Sequence, residues 1–569
     1  MKKILSLKFI RNYPNLCLFL LLWAVISLVG IYYGPDYFWD NLNYHIYTPY
    51  ALFNNRINID IIPAGIHSYF NPMADIPYYI AFKALFNFPR LLVVFQSVWA
   101  AVCCFCIFKM TFLLLKRKNV YFEAFLACAV FLFSPGTNSW VSSNTGDMMS
   151  CAFMLSSMYF LFYAHPMNLN KKKLFFLALA GALLGASFGF KFTAGVFIAA
   201  YGIMLFFYFH SIKDFIKGVT IFSLAFLADF LIVDGYWLWL MWDKFGSPLF
   251  PFYNNIFKSP YYAQEALVDP RFLAGKTLKD FIFMPFTMIY TQESFIIEAE
   301  TRTLTFAAYF ASMATLFCTW KKKAGDKTKT LPFNTRLVFM LSVFCILGFV
   351  LWCAMFSLLR YMVYLEAAGA LLIVTALHTF IRTKYRYFII TFIAAVIMAF
   401  GMGLRESTPF GTRNLDILTV KTPYSNEFAM RHEPEKIKHN IYPEIENGAT
   451  VILVEPTLSF LLPFINQNAV YVGPLNVEME RYIYLKDRVE ILRLFPFESI
   501  FYKHNFKEAV LEQIQNTDGK IYVMFEDYIP DALTREPLYH YGVEMDKENC
   551  QAIFNNFSRP VWLCEAKKI

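Results

Sequence analysis

Charge is what this chain has least of. Only 16% of its 569 residues are Asp, Glu, Lys or Arg, against about 25% in a typical soluble protein. At roughly 150 residues per domain, a soluble chain of this length would make about four domains. So few charges cannot cover four domains, and with 57% hydrophobic residues and 64 Phe the composition indicates an integral membrane protein. Catalytic signatures are also missing. There is no Walker A loop, no G-x-S-x-G and no H-E-x-x-H, so nothing points to an ATPase, a serine hydrolase or a zinc protease. The eleven Cys show no metal spacing. Cys103, Cys104 and Cys106 lie within an apolar run and read as packing residues, whereas Cys550 and Cys564 can pair if their region faces an oxidising compartment. No repeat or low-complexity segment stands out. The net charge of +9 is spread in short clusters between apolar runs rather than along one arm, so nucleic acid is not an expected partner.

A helix needs about 20 apolar residues to cross about 30 Å of hydrocarbon. Eleven stretches qualify: 15–33, 91–115, 120–135, 148–164, 174–189, 192–210, 218–241, 302–320, 335–355, 361–380 and 387–404. The first is long enough to span and has no small-residue cleavage site, so it reads as a span rather than a cleaved leader. Only Phe190 and Lys191 separate the fifth from the sixth. With the N-terminus (Lys2, Lys3, Lys8, Arg11) in the cytoplasm, alternation puts Lys116-Arg117-Lys118, Lys171-Lys172-Lys173, Lys213/Lys217, Lys321-Lys322-Lys323 and Arg382/Lys384/Arg386 on the same side. That is the positive-inside pattern, and it supports eleven spans with a break at Lys191.

The long segments then fall outside: 34–90, 136–147, 242–301 and the tail from about Arg405. The tail has ordinary charge density, β-like runs at Thr450–Glu455, Ala469–Val472 and Lys520–Glu526, and a helix-like stretch at Phe506–Gln515. It reads as an external α/β domain of about 160 residues. The fold class expected is therefore an α-helical polytopic membrane protein of about eleven spans with a C-terminal soluble α/β domain, divided into 1–404 and 405–569. Within the large first external loop, Ile76–Phe88 is short, aromatic and bracketed by Pro72, Pro77 and Pro89, which suits a helix lying in the interface or ordinary amphipathic packing.

Polar residues in so apolar a chain are candidates for chemistry. Asp40 follows the first span in Trp39-Asp40-Asn41-Leu42-Asn43-Tyr44-His45, with Asp36 close by. It can take a proton from a hydroxyl, bind a cation, or merely cap a helix. Asp147, in Ser142-Ser143-Asn144-Thr145-Gly146-Asp147, precedes the fourth span on the same side and has the same plain alternative, an N-cap. Lys191, in Gly189-Phe190-Lys191-Phe192-Thr193, and Arg360, in Leu359-Arg360-Tyr361, are cations at the outer boundary, against the positive-inside bias. Each alone can snorkel to lipid headgroups. Two such cations with two carboxylates on one face suggest a site for an anionic lipid, which an ammonium and a bidentate guanidinium suit. The Gly246-Ser247-Pro248 to Asn254 segment reads as a rigid turn that ends a helix. Few charges lie within the spans; they include Lys109, Glu123, Asp229, Asp234 and Glu366. Asp229 and Asp234 keep a transporter reading open, since proton-coupled carriers use buried ionisable groups.

Together these motifs resemble the C-type (GT-C) integral-membrane glycosyltransferases, in the bacterial branch of lipopolysaccharide-core and aminoarabinose-transferase-like enzymes. Trp39-Asp40-x-x-x-Tyr44-His45 is similar to the first-loop motif and Thr145-Gly146-Asp147 to the second acidic motif. Gly189-x-Lys191-x-Thr193, Gly246-Ser247-Pro248-x-x-Pro251-Phe252-x-Asn254 and Arg360-Tyr361 resemble later motifs. The likeness covers about residues 1–404. It departs at Ser247, where Asn is usual, and at Gly146-Asp147, which is not a paired acid. The resemblance implies transfer of a sugar from a polyprenyl-phosphate donor to an acceptor hydroxyl at the external face of a bacterial cytoplasmic membrane, with inversion. Asp40 is the implied general base. Tyr44, His45 and Asp147 position the acceptor or the base, and Lys191 and Arg360 hold the donor phosphate. No cofactor is called for, no metal ligand is assigned, and a divalent cation stays open. Glycan, glycolipid and protein acceptors remain alternatives, as does a flippase that binds the same lipid without cleaving it.

Overall fold

Each of the eleven apolar stretches coincides with a helix in the computed structural model. The structure describes residues 12–36, 39–117, 119–262, 264, 277–289, 303–324, 331–381, 383–402, 445–473, 480–485, 488–493, 505–526, 538, 541–553 and 561–569. The N-terminal basic cluster, Lys118 and Arg382 lie outside these residues. Among the described residues, the α-helices of six residues or more are α1 (Pro14–Tyr33), α2 (Tyr47–Phe53), α3 (Ile76–Leu85), α4 (Pro89–Gln96), α5 (Val98–Leu114), α6 (Tyr121–Leu132), α7 (Pro135–Trp140), α8 (Asp147–Ala164), α9 (Lys171–Phe190), α10 (Gly195–Phe206), α11 (Ile212–Phe245), α12 (Leu278–Thr287), α13 (Thr305–Ala324), α14 (Thr335–Met355), α15 (Val363–Phe380), α16 (Arg386–Met402) and α17 (Asn505–Asn516). Among the described residues, six helical stretches are long and apolar enough to cross a membrane: Pro14–Tyr33, Pro89–Leu114, Lys171–Phe190, Ile212–Phe245, Thr335–Met355 and Leu359–Phe380. Large side chains face outward along them, with Leu28 68%, Ile232 78% and Phe175 62% exposed. Hydrocarbon, not water, is the solvent that such a surface suits. The chain is a multi-pass membrane protein.

The chain forms two compact units, each discontinuous in sequence. The first comprises 1–33, 93–234 and 269–409 and is helical. Helix α15 is buried along almost its whole length and packs on α5, α6, α8, α13 and α14. Helices α9 and α11 meet backbone to backbone. A Cβ added at Gly181 would lie 2.1 Å from the Phe222 carbonyl oxygen, and one at Gly185 would lie 2.2 Å from that of Phe226. This small-xxx-small spacing lets two helices pack closely where water supplies no hydrophobic drive.

The second unit comprises 34–92, 235–268 and 410–569. Its five-stranded sheet runs β2 (Val470–Val472), β1 (Thr450–Leu453), β5 (Ile521–Glu526), β7 (Val561–Lys568), β6 (Val543–Ile553). β1 is parallel to β2 and β5, and β7 is antiparallel to β5 and β6. The three β-like runs expected in the tail are β1, β2 and β5, and the helix-like stretch is α17. A separate hairpin joins β3 (Glu480–Leu485) to β4 (Arg488–Arg493). Cys550 on β6 and Cys564 on β7 are paired in register and form a disulfide.

The first loop is part of this sheet. Ile61 bridges β2 in parallel: its N–H donates to Tyr471 O at 2.9 Å, and its carbonyl accepts from Gly473 N at 2.8 Å. Arg56, 2% exposed, donates to both oxygens of Asp60 and to the carbonyls of Gln467 and Ala469. Asp60 also accepts from the Tyr471 N–H and the Tyr47 hydroxyl. The two buried charges therefore have partners on both the loop and the tail. The Gly246–Asn254 segment ends α11 as expected: Phe245 and Phe250 stack at 4.1 Å between ring centroids, and Tyr69 stacks on Phe506 at 5.5 Å. In α3, Tyr78, Tyr79 and Phe82 are buried while Ile80 is exposed, an amphipathic helix packed on one face.

Gly185→Leu should destabilise the first unit by at least about 2 kcal/mol, because overpacking at a backbone contact forces α9 from α11. A thermal melt in mild detergent checks it; a melting temperature equal to wild type would remove the close contact.

Candidate active site

The polar residues of the first unit gather where α8 begins. Asp147 is the first residue of α8, and its N-cap is Gly146, with φ of 74°. Asp147 therefore does not serve as the cap, the plain alternative for it. Its carboxylate is 2% exposed, and neither oxygen has a hydrogen-bond partner among the described residues. Instead, Lys191 Nζ and Arg360 Nε each lie 3.9 Å from the same oxygen, Oδ2. Lys191 also donates to Thr145 O at 2.7 Å.

Local structure explains why both cations point there. Lys191 is the extended C-cap residue of α9 (φ −150°, ψ 107°), followed by a 3-10 turn, Phe192–Ala194, before α10. The break expected at Lys191 is real. Arg360 lies in another 3-10 turn, Leu359–Met362, directly before α15. Its guanidinium carbon is 6.0 Å from the Trp140 ring centroid and 5.3 Å from that of Tyr361, a geometry that suits guanidinium over an aromatic face. Two cations thus flank one buried carboxylate. An ammonium and a guanidinium side by side suit an anionic group. Three of the six candidate residues, Asp147, Lys191 and Arg360, are thus brought together.

The other three, Asp40, Tyr44 and His45, belong to the second unit. Asp40 precedes a π-helical turn, Asn41–His45, and its side chain makes no cap hydrogen bond to that turn. Such turns are rare and are found frequently at functional sites. Asn41 donates to Asp36 O at 3.0 Å. His45, 3% exposed, has Nδ1 2.8 Å from Asp75 Oδ1. Tyr44 packs on His45 at 4.2 Å and stacks on His67 at 5.2 Å, and the Trp39 ring meets His67 edge-on at 5.2 Å. Burial pushes the His67 imidazole down to about 4, with the Asp40 charge opposing that shift and His45 adding to it. Asp75 and His67 escaped sequence reasoning because neither lies in a motif; a proline-flanked His and Asp in the first loop were the only signal. Among the described residues, no group of three His, Cys, Asp or Glu is arranged to hold a metal ion.

No protein-family model matches the chain, and no curated protein sequence matches it. Two solved structures are similar over nearly the full length. The crystal structure of ArnT from Cupriavidus metallidurans bound to undecaprenyl phosphate aligns with a TM-score of 0.53 and 14% identity, covering 97% of this chain and 98% of that one. The same protein in the apo state aligns at 0.51 with 13% identity and the same coverage. The chain has the fold of these structures, in keeping with the GT-C resemblance of its motifs.

The His67 environment predicts an acid-labile fold. The unfolded imidazole takes up a proton near pH 6.5, whereas the buried one stays neutral to about pH 4. Protons then favour the unfolded state, and stability falls as pH drops through that window, by on the order of 3 kcal/mol. His67→Phe keeps the ring stack and should flatten the fall of melting temperature between pH 6.5 and 4; an unchanged slope would refute the assignment.

Proposed function

We propose that this protein is an integral-membrane glycosyltransferase that moves a sugar from a polyprenyl-phosphate donor to an acceptor hydroxyl. The observation that carries the reading is the convergence of Lys191 and Arg360 on buried Asp147. It occurs in a chain whose fold is that of an ArnT captured with undecaprenyl phosphate. A pair of cations beside a buried carboxylate suits a lipid that carries its charge at one end.

In this reading Lys191 and Arg360 hold the donor phosphate and stabilise the charge that grows on it as it leaves. Asp40 is the general base. It removes the acceptor proton while the oxygen attacks the anomeric carbon, and the sugar–phosphate bond breaks with its electron pair going to the phosphate. A single displacement inverts that carbon. Tyr44 and His45 order the acceptor side, with Asp75 orienting His45, and Asp147 spaces the two cations. In this reading the chain crosses the membrane eleven times with its basic clusters in the cytoplasm, so that the motif-bearing segments face the outside of a bacterial cytoplasmic membrane. The Cys550–Cys564 disulfide supports that sidedness, because such bonds persist in oxidising compartments. The acceptor is a glycan, glycolipid or protein hydroxyl.

A second reading, a flippase for a lipid-linked glycan, has one observation in its favour: Asp234 on α11 is fully buried, with no hydrogen-bond partner among the described residues. Release of free polyprenyl phosphate from a sugar-loaded donor separates the two, because only the transferase breaks that bond.

Asp40→Asn should fold normally and lose about 10²–10⁴-fold in transfer rate; full activity in this variant would exclude Asp40 as the base. In native mass spectrometry, wild type should retain added undecaprenyl phosphate, and the double variant Lys191→Ala/Arg360→Ala should lose it. Equal retention by both would move the phosphate site elsewhere.

A further inference from the structure

Glu366 is one of the few charges within a span, and a transporter would use such a group to carry protons. The structure gives it another task. It is fully buried on α15, and its carboxylate is occupied by three donors: Gly136 N to Oε1 at 2.8 Å, Thr137 N to Oε2 at 2.7 Å, and Thr137 Oγ1 to Oε2 at 2.8 Å. Gly136 and Thr137 open α7. The first N–H groups of a helix have no partner within it and are ordinarily met by the N-cap side chain. Here the N-cap is Ser134, and its hydroxyl turns back to donate to Val130 O at 2.7 Å. Glu366, some 230 residues further along the chain, takes over as the cap. A methyl group on Gly136 would lie 3.0 Å from Oε1 and 2.9 Å from Leu359 O, so only glycine admits the carboxylate this closely.

What hangs on this cap is the candidate site. α7 ends in Trp140, whose ring lies beside the Arg360 guanidinium. The chain then runs through Thr145, whose carbonyl receives Lys191, to Asp147. On the other side, Glu366 stands six residues after Arg360, on the helix that the Arg360 turn leads into. We propose that Glu366 is a positioning residue: by capping α7 from α15 it fixes the separation of Arg360 from Asp147 and Lys191, and so sets the affinity of the site for a lipid phosphate. The lipid part of this inference rests on the function proposed above; the geometric part does not.

Glu366→Gln preserves volume but turns an amide donor toward a backbone N–H, which can only donate, whichever of the two oxygens it replaces. Three measurements on the full-length protein in detergent test it. Hydrogen exchange of the 136–147 amides should speed up by about tenfold or more, with distant helices unchanged. Undecaprenyl phosphate should bind about tenfold more weakly, the loss expected when hydrogen bonds to a charged group are broken. Adding Glu366→Gln to Arg360→Ala should weaken binding by less than about twofold further, because Glu366 acts through the geometry of Arg360. A merely structural role would give additive losses, and additive losses overturn the proposal, as does unchanged exchange at 136–147. If Glu366→Gln fails to fold, Thr137→Val removes one of the three bonds and should show the same changes in smaller measure; wild-type behaviour there also overturns it. A wild-type protein that binds no undecaprenyl phosphate, with exchange at 136–147 still altered by Glu366→Gln, supports the capping role and overturns the donor reading.

Discussion

A charge buried in an apolar bundle must find its counter-charge or its hydrogen bonds inside the protein, and the first unit is organised around that requirement. Three of its buried acids meet that requirement in different ways, whereas Asp234 has no hydrogen-bond partner among the described residues. Glu366 is saturated by three donors at the start of α7. Glu123, at the start of α6, accepts from Arg386 at 2.6 Å and lies 2.8 Å from His378 Nδ1. Asp147 is different: its two cationic neighbours stand at 3.9 Å, beyond hydrogen-bonding distance. A saturated acid is a fastener. At Asp147 the carboxylate and its two cations stand apart, which sets the candidate site off from these saturated acids.

The second unit faces a different constraint, the edge of a sheet. β2 is short and lies at the end of the strand order. Ile61 from the first loop covers it, and the Arg56–Asp60 pair locks that loop to the carbonyls and amide around β2. An open edge of unpaired backbone groups is a pairing hazard, and covering it with a foreign segment removes the hazard. The same segment carries the π-helical turn with Asp40, Tyr44 and His45, so the loop that holds a candidate base is itself held by the tail through Ser459, whose hydroxyl donates to the Asn43 carbonyl.

Much of this was legible in the residues. Hydropathy located the eleven apolar helical stretches but not the short α2, α7 and α12, the positive charge at Lys191 marked a real helix break, and apolar alternation found β1, β2 and β5. The grouping of Asp147 with Lys191 and Arg360 followed from their common side. β6 was invisible, because Val543–Ile553 carries four charged residues and no alternation; pairing with β7 and the disulfide make it a strand. The capping role of Glu366 and the ties from Arg56 to the tail were also invisible. They are hydrogen bonds between residues some 230 and 411 positions apart, and no local pattern records such a partner. Asp147 was ambiguous for a physical reason: an acid before a helix looks the same whether it caps the backbone or faces a cation.

The join between the first loop and the tail has a consequence for biosynthesis. Asp60 leaves the ribosome 411 residues before Tyr471, the amide it accepts from. During that interval the buried Arg56–Asp60 pair has no tail to satisfy it, and the loop must wait while the later spans are inserted. The central strand β5 and its neighbour β7 are made later still. Completion of the second unit is therefore a late event that closes over the whole length of the chain, a high-contact-order step of the kind that folds slowly. Truncated or stalled chains would expose an uncovered loop carrying Asp40, which makes the final strands a checkpoint on whether the finished molecule can act at all.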